Sequence, residues 1–282
     1  MSARILSGKE PASALLQSVK TSAALLHPSL VILQVGSDPA SNAYIRAKTD
    51  ACGRVGIRCE HRTLPDTIRF EELLTVIEEL NRDTAVSGFI LQVPLPEMLS
   101  KQLPQIVRAF DPKKDVDGFT AYNLGKLFLS KEFEHLPPAT PAGIVTLLEH
   151  YNIRVAGKHV VIVGRSTLVG KPLSIMLLHR DATVTICHSQ TPDLGSVTRT
   201  ADILVSAVGK PGLITKDMVK KGAVVIDVGI TRTDGGLIGD VDFDGVKDVA
   251  SAITPVPGGV GPMTVASLLR NVVRAKERQM QK

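Results

Sequence analysis

Short, almost unbroken apolar runs alternate with stretches of helical period, and this pattern constrains the fold more than any other feature of the chain. The first series holds LVILQV (30–35), a helix-period segment over 38–55, IRCEHRTL (57–64), FEELLTVIEEL (70–80) and GFILQV (88–93). The second holds HVVIVG (159–164), a helix pattern from Val169, ATVTIC (182–187), DILVSAVG (202–209) and AVVIDVGI (223–230). A strand that is apolar on both faces must be covered on both faces, as in a parallel sheet between helical layers. The expected class is α/β, with each series forming its own three-layer unit.

The pattern breaks over 94–139, where VPLP, DPKKDVDGF and LPPAT are rich in Pro and Asp, with a short helix expected near 98–108. Thr140 and Pro141 then offer an N-cap and a first helical residue for AGIVTLLEHY. The interruption falls mid-series, which argues against a single eight-stranded barrel. The tail from Met263 to about Arg278 is expected to be one more helix.

No apolar run approaches the roughly 18 residues of a membrane span, and the N-terminus lacks a secretory pattern, so a cytoplasmic protein is expected. The three cysteines, Cys52, Cys59 and Cys187, have neither disulfide-scaffold nor metal-site spacing, so no metal is expected. The net charge of +5 is scattered rather than gathered in a block, and Trp is absent. Neither a basic arm nor a stacking surface for nucleic acid is therefore expected.

In HVVIVGRSTLVGKPL, a buried strand runs into a turn and a helix start. Gly164, Ser166 and Gly170 give the spacing GxSxxxG where the usual fingerprint reads GxGxxG. The physical need is the same: a tight turn, close backbone approach to a pyrophosphate, and helix N-terminal N–H groups facing it. The alternative is a tight connection that binds nothing. A Rossmann-like dinucleotide unit that binds NAD usually places Asp or Glu about 20 residues further on, against the ribose 2′-hydroxyl. Here the next strand ends at Cys187 and is followed by His188, Ser189 and Gln190. No carboxylate would repel a 2′-phosphate, and Arg165 can pair with one, so NADP is favoured over NAD.

The segment 38–56 opens with Asp38-Pro39 and closes at Gly56, as a capped helix should. Ala40, Ala43, Tyr44, Ala47, Lys48, Ala51, Cys52 and Val55 recur at three- and four-residue steps, placing Tyr44 and Lys48 inside an apolar stripe. Lys48 could snorkel past that stripe to water. It could instead be desolvated, with a depressed pKa that suits a general base. Spacing alone does not choose between the two. Gln92 ends the strand GFILQV, at the edge where open α/β sheets bind ligands, and Asp117 sits in KKDVDGF. Either could equally be a capping or turn residue.

Taken together, VGSDPASNAYIRAK (35–48), GFILQVPLP (88–96), DPKKDVDGF (111–119), PATPAG (138–143), VVIVGRSTLVGKP (160–172) and TPVPGGVGPMT (254–264) resemble the methylenetetrahydrofolate dehydrogenase/cyclohydrolase family. The resemblance spans most of the chain. It implies an N-terminal folate-site domain over 1–139, an NADP-binding domain over 140–264, and a terminal helix over 265–282 that returns to the first domain. It also implies a folate cleft between the domains and a homodimer built through the Rossmann domains.

Within the family pattern, Lys48 looks like the catalytic lysine, Tyr44 its stacking partner, Gln92 the group that orients it, and Ser41 a supporting residue. Asp117 looks like the pterin ligand. Arg165, Ser166 and Ser189 are similar to the residues that hold NADP phosphates, beside Gly164, Gly170 and Ile230. Pro257, Gly258 and Gly259 would bracket nicotinamide and folate, with Thr264 nearby. The implied activity is NADP-dependent oxidation of 5,10-methylenetetrahydrofolate followed by hydrolysis to 10-formyltetrahydrofolate. Ala139 departs from the family, which often has Cys there; sensitivity to thiol reagents would change rather than chemistry. A shikimate-type or amino-acid dehydrogenase would share the layout but would not explain the PGGVGPMT run, and a non-catalytic dinucleotide sensor would not explain Tyr44, Lys48, Gln92 and Asp117 together.

Overall fold

The structure is a computed structural model and describes residues 2–281. In chain order the first elements are β1 (Arg4–Ile5), α1 (Lys9–Leu26), β2 (Ser29–Val35), α2 (Pro39–Val55), β3 (Arg58–Leu64), α3 (Phe70–Arg82) and β4 (Gly88–Leu91). Next come α4 (Glu97–Ser100), α5 (Leu103–Arg108), α6 (Ala121–Leu129) and α7 (Ala139–His150). The second series runs β5 (His159–Val163), α8 (Gly170–Leu178), β6 (Thr183–Cys187), α9 (Leu194–Thr198), β7 (Ile203–Ser206) and β8 (Val224–Asp227). The chain ends with β9 (Thr231–Thr233), β10 (Gly236–Ile238), α10 (Phe243–Val246), β11 (Ala252–Ile253) and α11 (Val260–Met280).

The chain divides into two compact units, one of residues 14–139 with 265–282, the other of residues 1–13 with 140–264. The first is built on a parallel sheet in the order β3-β2-β4. One face of that sheet packs Leu30, Ile32 and Ile90 against Ile45, Cys52 and Val55 of α2 and Leu268, Leu269 and Val272 of α11. The other packs Val31, Leu33 and Phe89 against Leu73, Ile77 and Leu80 of α3 and Ile106 of α5. Strands buried on both faces explain the continuous apolar runs. β3 is the exception, because it is an edge strand with no fully buried residue.

The second unit is built on a six-stranded sheet in the order β1-β11-β8-β7-β5-β6, with every pairing parallel. Val161, Val163, Leu204, Val225 and Ile253 form the core of one face. The first thirteen residues therefore belong with the second series, not the first: β1 pairs with β11 and so extends the larger sheet. Two residues carry no readable strand period, and only tertiary pairing fixes them.

Other local expectations need adjustment. The helix near 98–108 is two short helices, α4 and α5. Thr140 is not an N-cap but lies inside α7, where its hydroxyl meets that of Thr264 at 3.1 Å. Among the described residues, no helix is long and apolar enough to cross a membrane.

Candidate active site

Each sheet has one point where consecutive crossovers leave in opposite directions, and open α/β sheets bind ligands at the carboxyl ends of strands there. In the smaller sheet this point lies between β2 and β4, because β3 pairs with β2 on its other side. Gln34 is the penultimate residue of β2, and Gln92 directly follows β4, in register with it, since Leu33 pairs with Leu91. Above them runs α2. Its N-cap, Asp38, accepts a hydrogen bond from the Ser41 amide at 2.7 Å, and Gly56 closes it in the left-handed region at φ 79°.

Four of the residues singled out in sequence meet here. Lys48 donates from Nζ to Oε1 of Gln92 at 2.9 Å. Gln92 is buried, and its own amide donates to the Val93 carbonyl at 2.7 Å, which fixes the direction of its oxygen. Ser41 is buried, and its hydroxyl lies 3.5 Å from that same carbonyl. Asp117 faces Lys48 electrostatically, each favouring the charged form of the other.

Burial nonetheless dominates both groups. It lowers the Lys48 amine below the usual lysine range, against the opposing pull of Asp117, Cys52 and Cys59. It raises the Asp117 carboxyl to about 6, with Asp115 adding to the rise and Lys48 opposing it. Both residues keep some accessible surface, so the desolvation is that of a pocket floor rather than of a sealed core.

Tyr44 is not in the buried stripe. It is 41% exposed, and Ala43 and Ala47 beside it are exposed too. The face of α2 that packs on the sheet is set by Ser41, Ile45, Cys52 and Val55. Counting alanines as apolar rotated the inferred stripe toward Tyr44, whereas Ile45 carries the real packing. Partial burial raises the Tyr44 phenol above its ordinary pKa, so it presents a neutral ring one turn before Lys48.

Two supporting networks escaped the sequence reading. Gln34 donates to Asn42 at 2.9 Å and accepts from Nε2 of His61 at 2.8 Å, pinning the first turn of α2 to β2 and β3. The signal for it was present, since ILQV occurs at both sheet-switch strands. The buried Asp115 carboxylate accepts from the amides of Gly118, Phe119 and Thr120 at 2.7–3.1 Å and from Asn123 at 2.9 Å. It thereby shapes the loop that carries Asp117.

The remaining site candidates lie in the other unit. β5 and β7 flank the switch point of its sheet. Gly164 follows β5 at φ 122°, and a Cβ there would stand 2.4 Å from the Ala207 carbonyl oxygen. A Cβ on Gly170 would stand 2.0 Å from the carbonyl oxygen of Gly164. Both glycines are required for the loop to close this tightly.

The expected open array of helix N–H groups is partly taken. Ser166 Oγ accepts from the amides of Val169 at 3.1 Å and Gly170 at 3.4 Å, and its carbonyl from Lys171 at 3.0 Å. The hydroxyl proton of Ser166 stays available to donate, and Arg165 is exposed beside it. This donor set, a hydroxyl and a guanidinium on a glycine-tight turn, fits a phosphorylated dinucleotide. Ser189 is exposed in the turn after β6, held by bonds between His188 and Thr191. Ile230 follows β8 and is partly buried.

Pro257, which follows a cis bond, begins a turn in which Gly258 has φ 102° and accepts from Gly8 at 2.8 Å. Gly259 packs so closely that a Cβ on Gly8 would overlap its carbonyl. Thr264 sits one turn into α11, against Thr140.

A buried carboxylate pair went unseen in the sequence. Asp240 accepts from Ser206 Oγ and from the amides of Val208 and Lys210 at 2.7–2.9 Å. Asp227 accepts from the amides of Asp240 and Val241 at 3.0 Å, and burial raises its pKa to about 7. Together they shape the loops after β7 and β8.

Residues 6–117 match the tetrahydrofolate dehydrogenase/cyclohydrolase catalytic domain, and residues 138–280 match the NAD(P)-binding domain of the same family. The chain belongs to the tetrahydrofolate dehydrogenase/cyclohydrolase family. Its sequence is 47% identical over 276 residues to the bifunctional protein FolD of Exiguobacterium sibiricum, covering 96% of this chain and 98% of that one. The solved structure of the bifunctional FolD enzyme of Campylobacter jejuni superposes with a TM-score of 0.93 at 40% identity, over 99% of this chain and all of that one. That of Trypanosoma brucei FolD, complexed with NADP cofactor and inhibitor, gives 0.94 at 34% identity, covering both chains fully. The six-segment resemblance therefore extends over the whole length in sequence and in fold. The family's catalytic domain covers the part of the chain that holds Lys48, and its NAD(P)-binding domain the part that holds the glycine turn at Gly164 and Gly170.

Proposed function

We propose that this chain oxidises 5,10-methylenetetrahydrofolate with NADP and hydrolyses the resulting 5,10-methenyltetrahydrofolate to 10-formyltetrahydrofolate, with Lys48 as general base of the second step. The observation that carries this reading is the 2.9 Å bond between Lys48 and Gln92, made by an amine whose pKa burial has lowered.

NADP, when bound, supplies the nicotinamide that accepts the hydride. The glycine turn at Gly164 and Gly170 would let backbone approach its pyrophosphate, and Ser166 and Ser189 would donate to its phosphates. Arg165 would pair with the 2′-phosphate. The loop Pro257–Gly259, with Thr264 and Ile230, would line the nicotinamide side. For hydride transfer the protein's main contribution is to position the folate methylene carbon. Asp117 does so from the pterin, and Tyr44 offers its exposed ring for stacking.

Hydrolysis needs a base that can take a proton from water as it adds to the methenyl carbon. An ordinary lysine is protonated at neutral pH and cannot serve. Desolvation shifts Lys48 toward the neutral amine, whose lone pair accepts the proton. Gln92 holds the Nζ through its oxygen, and its own amide is fixed on the Val93 carbonyl, so the amine keeps one orientation as it gains the proton. Asp117 stabilises the ammonium that forms.

A homodimer joined through the NAD(P)-binding unit accompanies this reading, and Leu237 and Ile238 of β10 offer exposed apolar surface to it. The test of the base is the pH dependence of methenyltetrahydrofolate hydrolysis. Its rate is expected to rise with pH through a midpoint below the free-lysine value of about 10.4. A rate independent of pH after subtraction of the buffer reaction contradicts a titrating amine.

A further inference from the structure

Asp117 sits between two buried neighbours, Val116 and Gly118, yet keeps accessible surface itself. Two soft dihedrals set the direction of its side chain, and both are fixed once the peptide planes before and after it are fixed. The plane that follows is held by Asp115, whose Oδ1 accepts from the Gly118 amide at 2.8 Å. The plane that precedes is held by a residue the proposed chemistry does not use. Asn271 of α11 is fully buried, and its Nδ2 donates to the Val116 carbonyl at 2.9 Å. That carbonyl belongs to the peptide joining Val116 to Asp117.

The same Nδ2 donates to the Pro137 carbonyl at 2.8 Å. This second bond ties the loop of Asp117 to the segment it passes. Gly118 has φ 75°, and a Cβ there would stand 2.5 Å from the Leu136 carbonyl oxygen, so the two stretches run close together. Val116, Leu136 and Ala139 share one apolar cluster with Leu268, Leu269 and Val272, the neighbours of Asn271 on α11. Two turns further along, Gln279 donates to the Ser87 carbonyl at 2.7 Å, just before β4. The helix that carries Asn271 is thus both packed and hydrogen-bonded to its own unit, which makes it a rigid support.

We propose that Asn271 is a positioning residue for folate binding: it fixes the peptide that leads into Asp117 and so sets where that carboxylate meets the pterin. The inference rests on the reading of Asp117 as the pterin ligand. A primary amide is what the geometry requires. Two carbonyl oxygens converge on one nitrogen, so the group needs two N–H donors at the end of a short side chain. Serine offers one donor and an ionised aspartate none. Leucine has the branching of asparagine without its polar atoms. The reversed orientation of the amide would set Oδ1 against both carbonyls, so its direction is fixed.

Without the amide, the peptide before Asp117 is free to rotate, and a rotated peptide swings the carboxylate off the pterin. The Lys48–Gln92 bond joins α2 to the end of β4 and does not pass through this loop. The loss therefore falls on folate binding more than on turnover, and it does not reach the dinucleotide turn.

The test is a double-mutant cycle on the purified full chain. It reads the KM for methenyltetrahydrofolate in the hydrolysis assay, NADP affinity by calorimetry, and folding by thermal melting. Asn271→Leu should raise that KM about 10-fold, the worth of one hydrogen bond, and leave NADP affinity unchanged. Asp117→Ala should raise the KM at least as much. In the Asp117→Ala background, Asn271→Leu should add less than about 2-fold, because no carboxylate is left to position. Asn271→Ala, which leaves room for water at both carbonyls, completes the same cycle if the leucine variant melts below the assay temperature. The inference is overturned if a folded Asn271 variant keeps the parental KM, if the two effects multiply in full, or if NADP affinity falls in step with folate binding. If Asp117→Ala alone keeps the parental KM, the pterin reading fails, and the inference falls with it.

Discussion

Replacing Lys48 by Met shortens the side chain by one heavy atom, keeps most of its apolar stem and removes the amine. The local cost can be worked from its contacts. The change deletes one hydrogen bond at 2.9 Å to Gln92, worth about 1.5–3 kcal/mol if the amine is charged. It also removes the desolvation cost that lowers the pKa of that amine, which acts in the opposite direction. The unfolding free energy should therefore move by only about 1 kcal/mol. Catalysis has no such offset. A positioned general base contributes about 10²–10⁴-fold, or about 2.7–5.5 kcal/mol of barrier at 1.36 kcal/mol per decade. The assay follows decay of methenyltetrahydrofolate absorbance, with NADP affinity measured by calorimetry on the same sample. Hydrolysis should fall by at least about 100-fold while NADP affinity stays the same. Equal loss of dehydrogenase and cyclohydrolase rates would refute the assignment, because removing the base of one step should not reduce both alike.

Other expectations can be checked on single variants. Asp117 titrates at about 6 in the folded chain against 3.8 in the reference state, so its stabilising contribution is full below pH 3.8 and is lost as pH rises through 6. Asp117→Asn should thus unfold at higher urea than the parent at pH 7, by up to about 3 kcal/mol, with no gap at pH 3.5. Its KM for folate should rise and its NADP affinity should not; an unchanged folate KM contradicts the pterin role. Arg165→Gln should raise the KM for NADP by about 10- to 100-fold, the worth of a charge-assisted bond, and leave that for NAD unchanged, as read in initial-rate assays. Gly170→Ala places a methyl 2.0 Å from the Gly164 carbonyl oxygen, so NADP titration should show lost affinity and thermal unfolding a drop of about 1–3 kcal/mol.

Strands buried on both faces announce themselves, so β2 and β5 were legible to within a residue, whereas the runs for β4, β7 and β8 overran the strands by two or three residues at their C-terminal ends. β1 and β11 were not, because two residues each have no period and owe their place to pairing across the sheet. Sequence spacing marked Lys48 on α2 and Gln92 at a strand end, while their grouping with Ser41 came from the family resemblance, and the structure brings the three together. Spacing misplaced Tyr44, because alanines weigh as apolar in a periodicity whether or not they are buried. Asp227 and Asp240 could not be found from spacing at all. Their partners are backbone amides, which carry no residue signature, and the glycines that make room for them, Gly229 and Gly239, read only as turns. Gln34 shows the opposite case, a signal present in the repeated ILQV and passed over because one copy already had a role.

The most direct test of the whole account is an absorbance assay on the purified protein alone, with 5,10-methylenetetrahydrofolate and either NADP or NAD. The account predicts NADPH formation that exceeds NADH formation, with methenyltetrahydrofolate failing to accumulate or decaying faster than in buffer. Absence of reduction of either nucleotide contradicts the dehydrogenase assignment, and methenyltetrahydrofolate that persists as it does in buffer contradicts the role given to Lys48.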